Sequence, residues 1–189
     1  NILGSFELMN YSFHYWKRKN KKKFKFIQIS TDEVYGSVNK GSSKESSIIS
    51  PNSPYSASKA SADNIAMSFF KTYRFPIIIA RPSNNYGSYQ FPEKLIPLII
   101  LNAIYEKSLP IYGDGKHIRN WLYVDDSVNA LKVILNKAKA GNIYNIGGPD
   151  EVSNIELVKK ICKILNVMIP RKNNKKYEGL IKFVLDRPG

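Results

Sequence analysis

Apolar residues fall along this chain in short blocks, and the spacing within the blocks alternates between helix-like and strand-like. Residues 5–16 read as a helix and 24–29, with Phe24, Phe26, Ile27 and Ile29, as a short strand after a lysine-rich loop. A polar loop rich in Ser and Asn runs to Pro54, which suits the start of a long helix over 55–73. "PIIIA", 76–80, is a continuous apolar run of the kind found in strands buried on both faces. The loop "RPSNNYGSYQFP" leads to a helix over 93–105, a strand at 109–112 and a glycine turn, "GDG". Residues 122–135 read as strand then helix, with Asp125 or Asp126 as the cap. "NIYNIGG" is a further buried strand ended by glycines. "SNIELVKKICKIL" is an amphipathic helix opened by Ser153, with Glu156 at capping-box spacing, and "LIKFVL" closes the series as a strand.

Strands alternating with helices predict an α/β fold around a parallel sheet, where ligands sit beyond the carboxyl ends of the strands. Thr31, Asp32 and Glu33 stand together at one such end, and residues 83–86 at another. Two adjacent carboxylates repel each other and make poor strand formers, so they mark either a solvated turn or a site. Tyr55 and Lys59, four apart on the 55–73 helix, share a face. An ammonium there stabilises a phenolate and makes the tyrosine a usable base. A lone Y-x-x-x-K arises easily by chance; Ser30 and Thr31, one loop upstream, strengthen it.

Composition narrows the classes. With 189 residues, 43% hydrophobic and 12% aromatic, the chain can build a core and is not a disordered segment. Its longest apolar stretch, 95–103, is broken by Pro97 and Asn102, so no membrane span or membrane partner is expected. The single cysteine, Cys162, excludes an internal disulfide and suits a reducing compartment; its helical spacing with Ile155, Val158 and Leu165 reads as core. His14 and His117 fall in no cluster of metal spacing, so no metal is expected. The net charge of +14, from 29 basic and 15 acidic residues, raises nucleic-acid binding as a class. The basic residues, however, gather in two inter-element segments: Lys17, Arg18, Lys19, Lys21, Lys22, Lys23 and Lys25 in one, Arg171, Lys172, Lys175 and Lys176 in the other. No RNA-binding motif or zinc-finger spacing accompanies them, so solvated basic loops and no nucleic-acid partner are expected. The chain opens on Asn1 in what reads as a helix already under way, and it stops at "VLDRPG"; both suggest a fragment.

Five strings, "STDEVYG", "SPYSASKASAD", "RPSNNYGSYQFPEKLIPLIILNA", "LPIYGDGKHIRNWLYVDD" and "YNIGG", occur in an order that resembles the extended short-chain dehydrogenase/reductases. Within them the chain is similar to the nucleotide-sugar 4,6-dehydratases, of the dTDP-glucose 4,6-dehydratase type, over nearly its whole length. The resemblance implies a Rossmann-like, doubly wound parallel sheet with its N-terminal part missing, and a smaller C-terminal substrate-binding domain. Residues 1–90 would be the second part of the NAD-binding domain. Residues 91–189 would mostly bind the nucleotide-sugar, with 120–148 packing back on the Rossmann sheet.

The resemblance also implies a chemistry. NAD⁺ oxidises the sugar at C4 while Tyr55 takes the hydroxyl proton, assisted by Lys59 and Thr31. Glu33 then removes the C5 proton, Asp32 protonates the departing C6 hydroxyl, and hydride returns to C6. Neighbouring carboxyls suit this task, because their repulsion favours a state with one protonated and one ionised. By the same matching Ser30, Tyr55, Lys59 and Ser83 would face the cofactor. Asn85, Glu93, Lys94 and Leu95 would contact the substrate, Tyr112 would stack on its base, and Arg119 and Asn154 would hold its phosphates. Blander readings stand beside these: residues 85–87 as a plain turn, Arg119 paired with Asp125 or Asp126, and Asn154 as a helix-start residue.

One departure from the family is an absence. The sequence has no G-x-G-x-x-G and no acidic partner for the NAD ribose, so the 189 residues alone are expected to bind NAD weakly or not at all. A related epimerase or decarboxylase, and a non-catalytic truncated remnant, are the alternatives; Asp32 beside Glu33 argues against the first two. dTDP-glucose and UDP-glucose both remain open as substrate. A homodimer is expected through the 55–73 helix, where Ile65, Ala66, Phe69 and Phe70 could form the contact or equally the core, and the expected location is the cytoplasm.

Overall fold

The computed structural model describes residues 1–19, 23–38 and 41–186. Along the chain run α1 (Ile2–Lys19), β1 (Phe26–Ile29), α2 (Pro54–Tyr73), β2 (Ile77–Pro82), β3 (Asn84–Tyr86), α3 (Leu95–Ile104), β4 (Leu109–Tyr112), β5 (Ile118–Tyr123), α4 (Val124–Lys137), β6 (Ile143–Ile146), β7 (Glu151–Ser153), α5 (Asn154–Met168) and β8 (Ile181–Val184). They divide into two compact units, one of residues 1–83 with 124–147, the other of 84–123 with the residues from 148 onward.

The first unit is built on a parallel sheet in the order β1-β2-β6, with Ile27 opposite Ile78 and Ile79 opposite Ile143. All six residues of the central strand β2 are buried, as the apolar run over 76–80 requires of the first four. Ile77 and Ile79 pack with Phe75 against Met9 and Phe13 of α1 and Ala66 and Phe69 of α2. The Phe75 ring is surrounded by those of Phe13, Trp16, Phe24, Phe26 and Phe69, with centroids 5.6 to 6.3 Å away. Such pairs add about 0.5–1.5 kcal/mol each beyond the area they bury. Ala66 and Phe69 are therefore core and not an outward dimer surface, Ile65 packs at the margin of the same cluster, and Phe70 lies against Gly141.

The start of α2 is fixed locally. Ser53 caps it, its hydroxyl accepting from the Ser56 amide while the Ser56 hydroxyl accepts from the Ser53 amide, and Pro54 sits at the first helical position. α4 follows β5 without a loop, so Asp125 and Asp126 lie inside its first turn, where they face the positive helix end, and neither is the cap expected.

The first basic segment is not a single solvated loop. Lys17, Arg18 and Lys19 form the last turn of α1, where cations suit the helix dipole. Lys25 Nζ donates to the carbonyls of Leu135 (2.6 Å) and Asn136 (3.3 Å) in the last turn of α4. Lys21 and Lys22 lie outside the described residues. In the second segment, Arg171 donates to Glu106 (3.2 Å) and to the Lys176 carbonyl (3.0 Å).

The second unit holds two small sheets. β5 pairs parallel with β3 and antiparallel with β7, and β4 pairs parallel with β8. α3 and α5 enclose a core of Ile99, Ala103, Leu109, Ile111, Val158, Cys162 and Leu165. Cys162 is core, as its spacing implies, and burial pushes its thiol up to about 11, which makes it inert at neutral pH. α5 opens with the expected capping box, Ser153 and Glu156 each bonding the other's amide. Among the described residues no helix is long and apolar enough to cross a membrane, and no group of His, Cys, Asp and Glu side chains is placed to hold a metal.

Candidate active site

In the first unit the carboxyl end of β1 turns at once into a 3₁₀ turn, Asp32–Tyr35. Sequence periodicity shows only a polar loop there. Thr31 builds the turn: its hydroxyl accepts from the Glu33 amide (3.2 Å) and donates to Asp32 Oδ1 (3.3 Å). Gly36 ends it at a φ of 78°, donating to the Glu33 carbonyl (3.1 Å). A side chain at Gly36 would run into the Ser50 carbonyl, so glycine is required there for space as well as for conformation.

The apolar half of the turn anchors it. Val34 and Tyr35 are buried against Ala60 of α2 and Ile49. The polar half is left outward, with Glu33 exposed and Asp32 half-buried, while Ser30 and Thr31 are buried beneath. Lys59, next to Ala60, donates to the Ile29 carbonyl at the end of β1 (2.6 Å). Tyr55 lies one turn earlier on the same face of α2, half exposed. The fold thus gathers Ser30, Thr31, Asp32, Glu33, Tyr55 and Lys59 around the junction of one strand end and the first turns of one helix. Ser83 is buried at the neighbouring strand end, its amide donating to the Ile146 carbonyl (2.8 Å).

The residues expected to hold substrate lie in the second unit. Asn85 is in β3, opposite Leu122 of β5, so the plain-turn reading fails for it; its carbonyl accepts from Gln90 Nε2 (2.9 Å). Arg119 is exposed on β5 and donates to the Ile118 carbonyl (3.2 Å). Asn154 is the first residue of α5, and its amide donates to the His117 carbonyl (3.0 Å); the cap itself is Ser153. Tyr112 ends β4, and the glycine turn that follows is tied to α5 by the Ile155 amide on the Gly115 carbonyl (3.0 Å). Hydrogen bonds therefore link the surroundings of Tyr112, Arg119 and Asn154. Glu93 and Lys94 are exposed and pair with each other (3.2 Å), and Leu95 is the first residue of α3. Lys94, at the cap of α3, makes no side-chain capping bond to the helix.

The sequence reading missed a buried polar network beneath the catalytic candidates. Arg81, in the all-buried strand β2, donates from Nε to Asp63 Oδ2 of α2 (2.9 Å) and from Nη1 to the Tyr35 hydroxyl (2.7 Å). Tyr35 donates in turn to Asn145 Oδ1 of β6 (2.8 Å). Asp63 and Arg81 are 1% and 2% exposed. Burial pushes the Asp63 carboxyl up, while the Ser30 hydroxyl, the Arg81 guanidinium and the Lys59 ammonium pull it back. The Ser30 hydroxyl faces that carboxylate without reaching hydrogen-bond geometry, so Ser30 Oγ is a buried polar atom with no direct partner. A lone arginine inside an apolar run was the available signal, because a buried charge demands a partner.

A parallel α/β sheet whose strand end carries a Ser-Thr step and an acidic turn, beside a helix with Tyr-x-x-x-Lys, is the arrangement that the resemblance to the extended short-chain dehydrogenase/reductases implies. The particular family follows from the whole length of the chain. Residues 1–189 match the family described as GDP-mannose 4,6 dehydratase, and the chain belongs to it. A dTDP-glucose 4,6-dehydratase of Haemophilus influenzae is 48% identical over all of this chain and 58% of its own length. A crystal structure of dTDP-glucose 4,6-dehydratase from Bacillus anthracis in complex with NAD superposes with a TM-score of 0.84 at 44% identity, covering 98% of this chain and 55% of that one. The same enzyme from Streptomyces venezuelae, also with NAD bound, gives 0.78 at 42% identity, over 86% of this chain and 48% of that one. The chain thus spans about half the length of the relatives it matches.

Proposed function

We propose that this chain carries the catalytic residues of a nucleotide-sugar 4,6-dehydratase acting on dTDP-glucose, with UDP-glucose as the competing substrate to exclude. The observation that carries the reading is the Asp32–Glu33 pair, held outward on a turn anchored to the helix of Tyr55 and Lys59. The relatives' own substrate, dTDP-glucose, favours that nucleotide.

NAD⁺ would, when bound, accept hydride from C4 of the sugar and give it back at C6. The residues present suit its nicotinamide end: Ser30 offers a buried hydroxyl without a partner, at the strand end where dinucleotides sit, with Tyr55, Lys59 and Ser83 alongside. The glycine cradle for its pyrophosphate is not in this sequence. Tyr55 takes the proton from the C4 hydroxyl, and Lys59, fixed on the Ile29 carbonyl, sets a positive charge near the phenolate. The resulting ketone acidifies the C5 hydrogen. Glu33 removes that proton, Asp32 supplies one to the C6 oxygen, and water leaves. Glu33 then returns its proton to C5. The proton on Tyr55 balances the one Asp32 gave up, so the net change is loss of one water.

In the second unit Arg119, Asn154 and the uncapped start of α3 would receive the diphosphate, with Tyr112 against the base. A homodimer is proposed through the outer face of α1, where Leu8, Tyr11 and Tyr15 share one side and remain exposed. A buried, reduced Cys162 suits a cytoplasmic location.

The test is competition. The protein from its full reading frame is given NAD⁺ and equal dTDP-glucose and UDP-glucose, and both sugars are followed by mass spectrometry. Loss of water from dTDP-glucose first supports the reading; loss from neither sinks it.

A further inference from the structure

We propose that Arg81, Tyr35 and Asp63 are positioning residues that couple the acid–base turn to the tyrosine–lysine helix. The proposal rests on the dehydratase reading above.

One buried guanidinium reaches both elements that carry the proposed chemistry. Its Nε meets Asp63, one turn beyond Lys59 on the same side of α2 (2.9 Å). Its Nη1 meets the hydroxyl of Tyr35, the last residue of the turn that presents Asp32 and Glu33 (2.7 Å). Tyr35 also donates to Asn145 (2.8 Å), whose amides donate to the Ser43 carbonyl (3.1 Å) and to Glu45 Oε1 (3.0 Å). The turn is therefore pinned from below at its C-terminal end by a chain of bonds running from α2 through β2 to β6. At its start it is held by Thr31, and the Ser50 amide donates to the Val34 carbonyl (3.0 Å). A charged pair is a costly way to fill a core, and an apolar pair of the same volume often serves stability as well or better. What an apolar pair cannot supply is direction. The guanidinium's fixed fork sets the angle between α2 and the turn, and hence where Glu33 stands relative to Tyr55.

The two branches of the fork make separable predictions. Loosening the Tyr35 branch alone should displace Asp32 and Glu33, which serve elimination, while Tyr55 and Lys59, which serve oxidation, stay on the Asp63 branch. Misplacing a catalytic group by about 1 Å costs up to about 100-fold.

The experiment uses Tyr35→Phe in the full-length protein, which removes one hydroxyl and keeps the ring. Acid-quenched time courses with NAD⁺ and dTDP-glucose are resolved by mass into the ketone that keeps its C6 hydroxyl and the ketone that has lost water. The expected result is oxidation within about twofold of wild type and elimination slowed about 10- to 100-fold, so that the C6-hydroxy ketone accumulates. Should Tyr35→Phe not fold, Asn145→Ala loosens the same tether from its other end and should accumulate the same ketone. Equal slowing of both steps, or a drop in folded protein with both rates unchanged, would show a purely structural role and overturn the proposal. If wild type itself yields no dehydrated ketone, the dehydratase reading falls, and the positioning role falls with it; accumulation in the variant alone separates the two cases.

Discussion

Replacing Arg81 with methionine keeps much of the side chain's length and removes the guanidinium that meets Asp63 (2.9 Å) and Tyr35 (2.7 Å). Asp63 would then be a carboxylate 1% exposed with its main partner gone. Breaking a buried pair from one side costs roughly 3–5 kcal/mol, and the lost bond to Tyr35 adds about 1 kcal/mol. Against a total stability of about 5–15 kcal/mol, that is a large fraction. Removing both charges together, as Asp63→Leu with Arg81→Met, leaves the Tyr35 hydroxyl short of a donor and the Ser30 hydroxyl without the carboxylate it faces, and should cost far less than either single change, about 1 kcal/mol. The two single variants and the double therefore define a coupling energy of about 3 kcal/mol or more. Urea unfolding of the full-length protein, followed by far-ultraviolet circular dichroism, reads the loss of stability. A single Arg81→Met variant within about 1 kcal/mol of its parent, or a double variant no better than the singles, would refute the reasoning.

Three smaller perturbations test the local physics. Ser153→Ala removes the hydroxyl that accepts from the Glu156 amide and should cost about 1 kcal/mol by urea midpoint, since α5 supplies Val158, Ile161, Cys162 and Leu165 to its unit's core. Gly141→Ala places a side chain at a φ of 83° and into the Phe70 ring, and should cost at least about 1–2 kcal/mol, whereas Gly4→Ala, with open space around it, should not destabilise. The Asn145 backbone amide, then Glu45's own, hold the Glu45 carboxyl below the usual range, with Arg81 adding to it. The folded value is depressed, so this contribution is present above about pH 4.5 and is lost as pH falls through the folded value; Glu45→Gln should flatten the acid limb of a pH–stability curve there.

What could be read from the sequence was whatever a period or a cap announces. β2 shows itself because five apolar residues in a row have no other home, and α5 because Ser153 and Glu156 mark its start before any packing is known. β3 and β7 were invisible: each has only three residues, most of them polar, and each pairs with β5. The turn at Asp32–Tyr35 escaped notice for the opposite reason, since a single capped turn is too short to show a period. Thr31, Asp32, Glu33, Tyr55 and Lys59 were nameable from motif order, but the bonds that hold them run through Tyr35, Asp63, Arg81 and Asn145. Those four lie on four different elements, and no local pattern in the sequence joins them. The same holds for Ala66 and Phe69, whose apolar character suits an interface as well as a core until α1 is seen packed upon them.

The central claim is that Glu33 and Asp32 take water out of a sugar already oxidised at C4. The most direct test is to compare wild type with Glu33→Gln in the full-length protein, supplying NAD⁺ and dTDP-glucose and identifying the sugar products by mass after acid quench. Wild type should yield the ketone that has lost water, and Glu33→Gln should yield chiefly the ketone that keeps its C6 hydroxyl, with dehydration slowed by about 100-fold or more. Full-rate dehydration by Glu33→Gln, or no loss of water with wild type, would contradict the account.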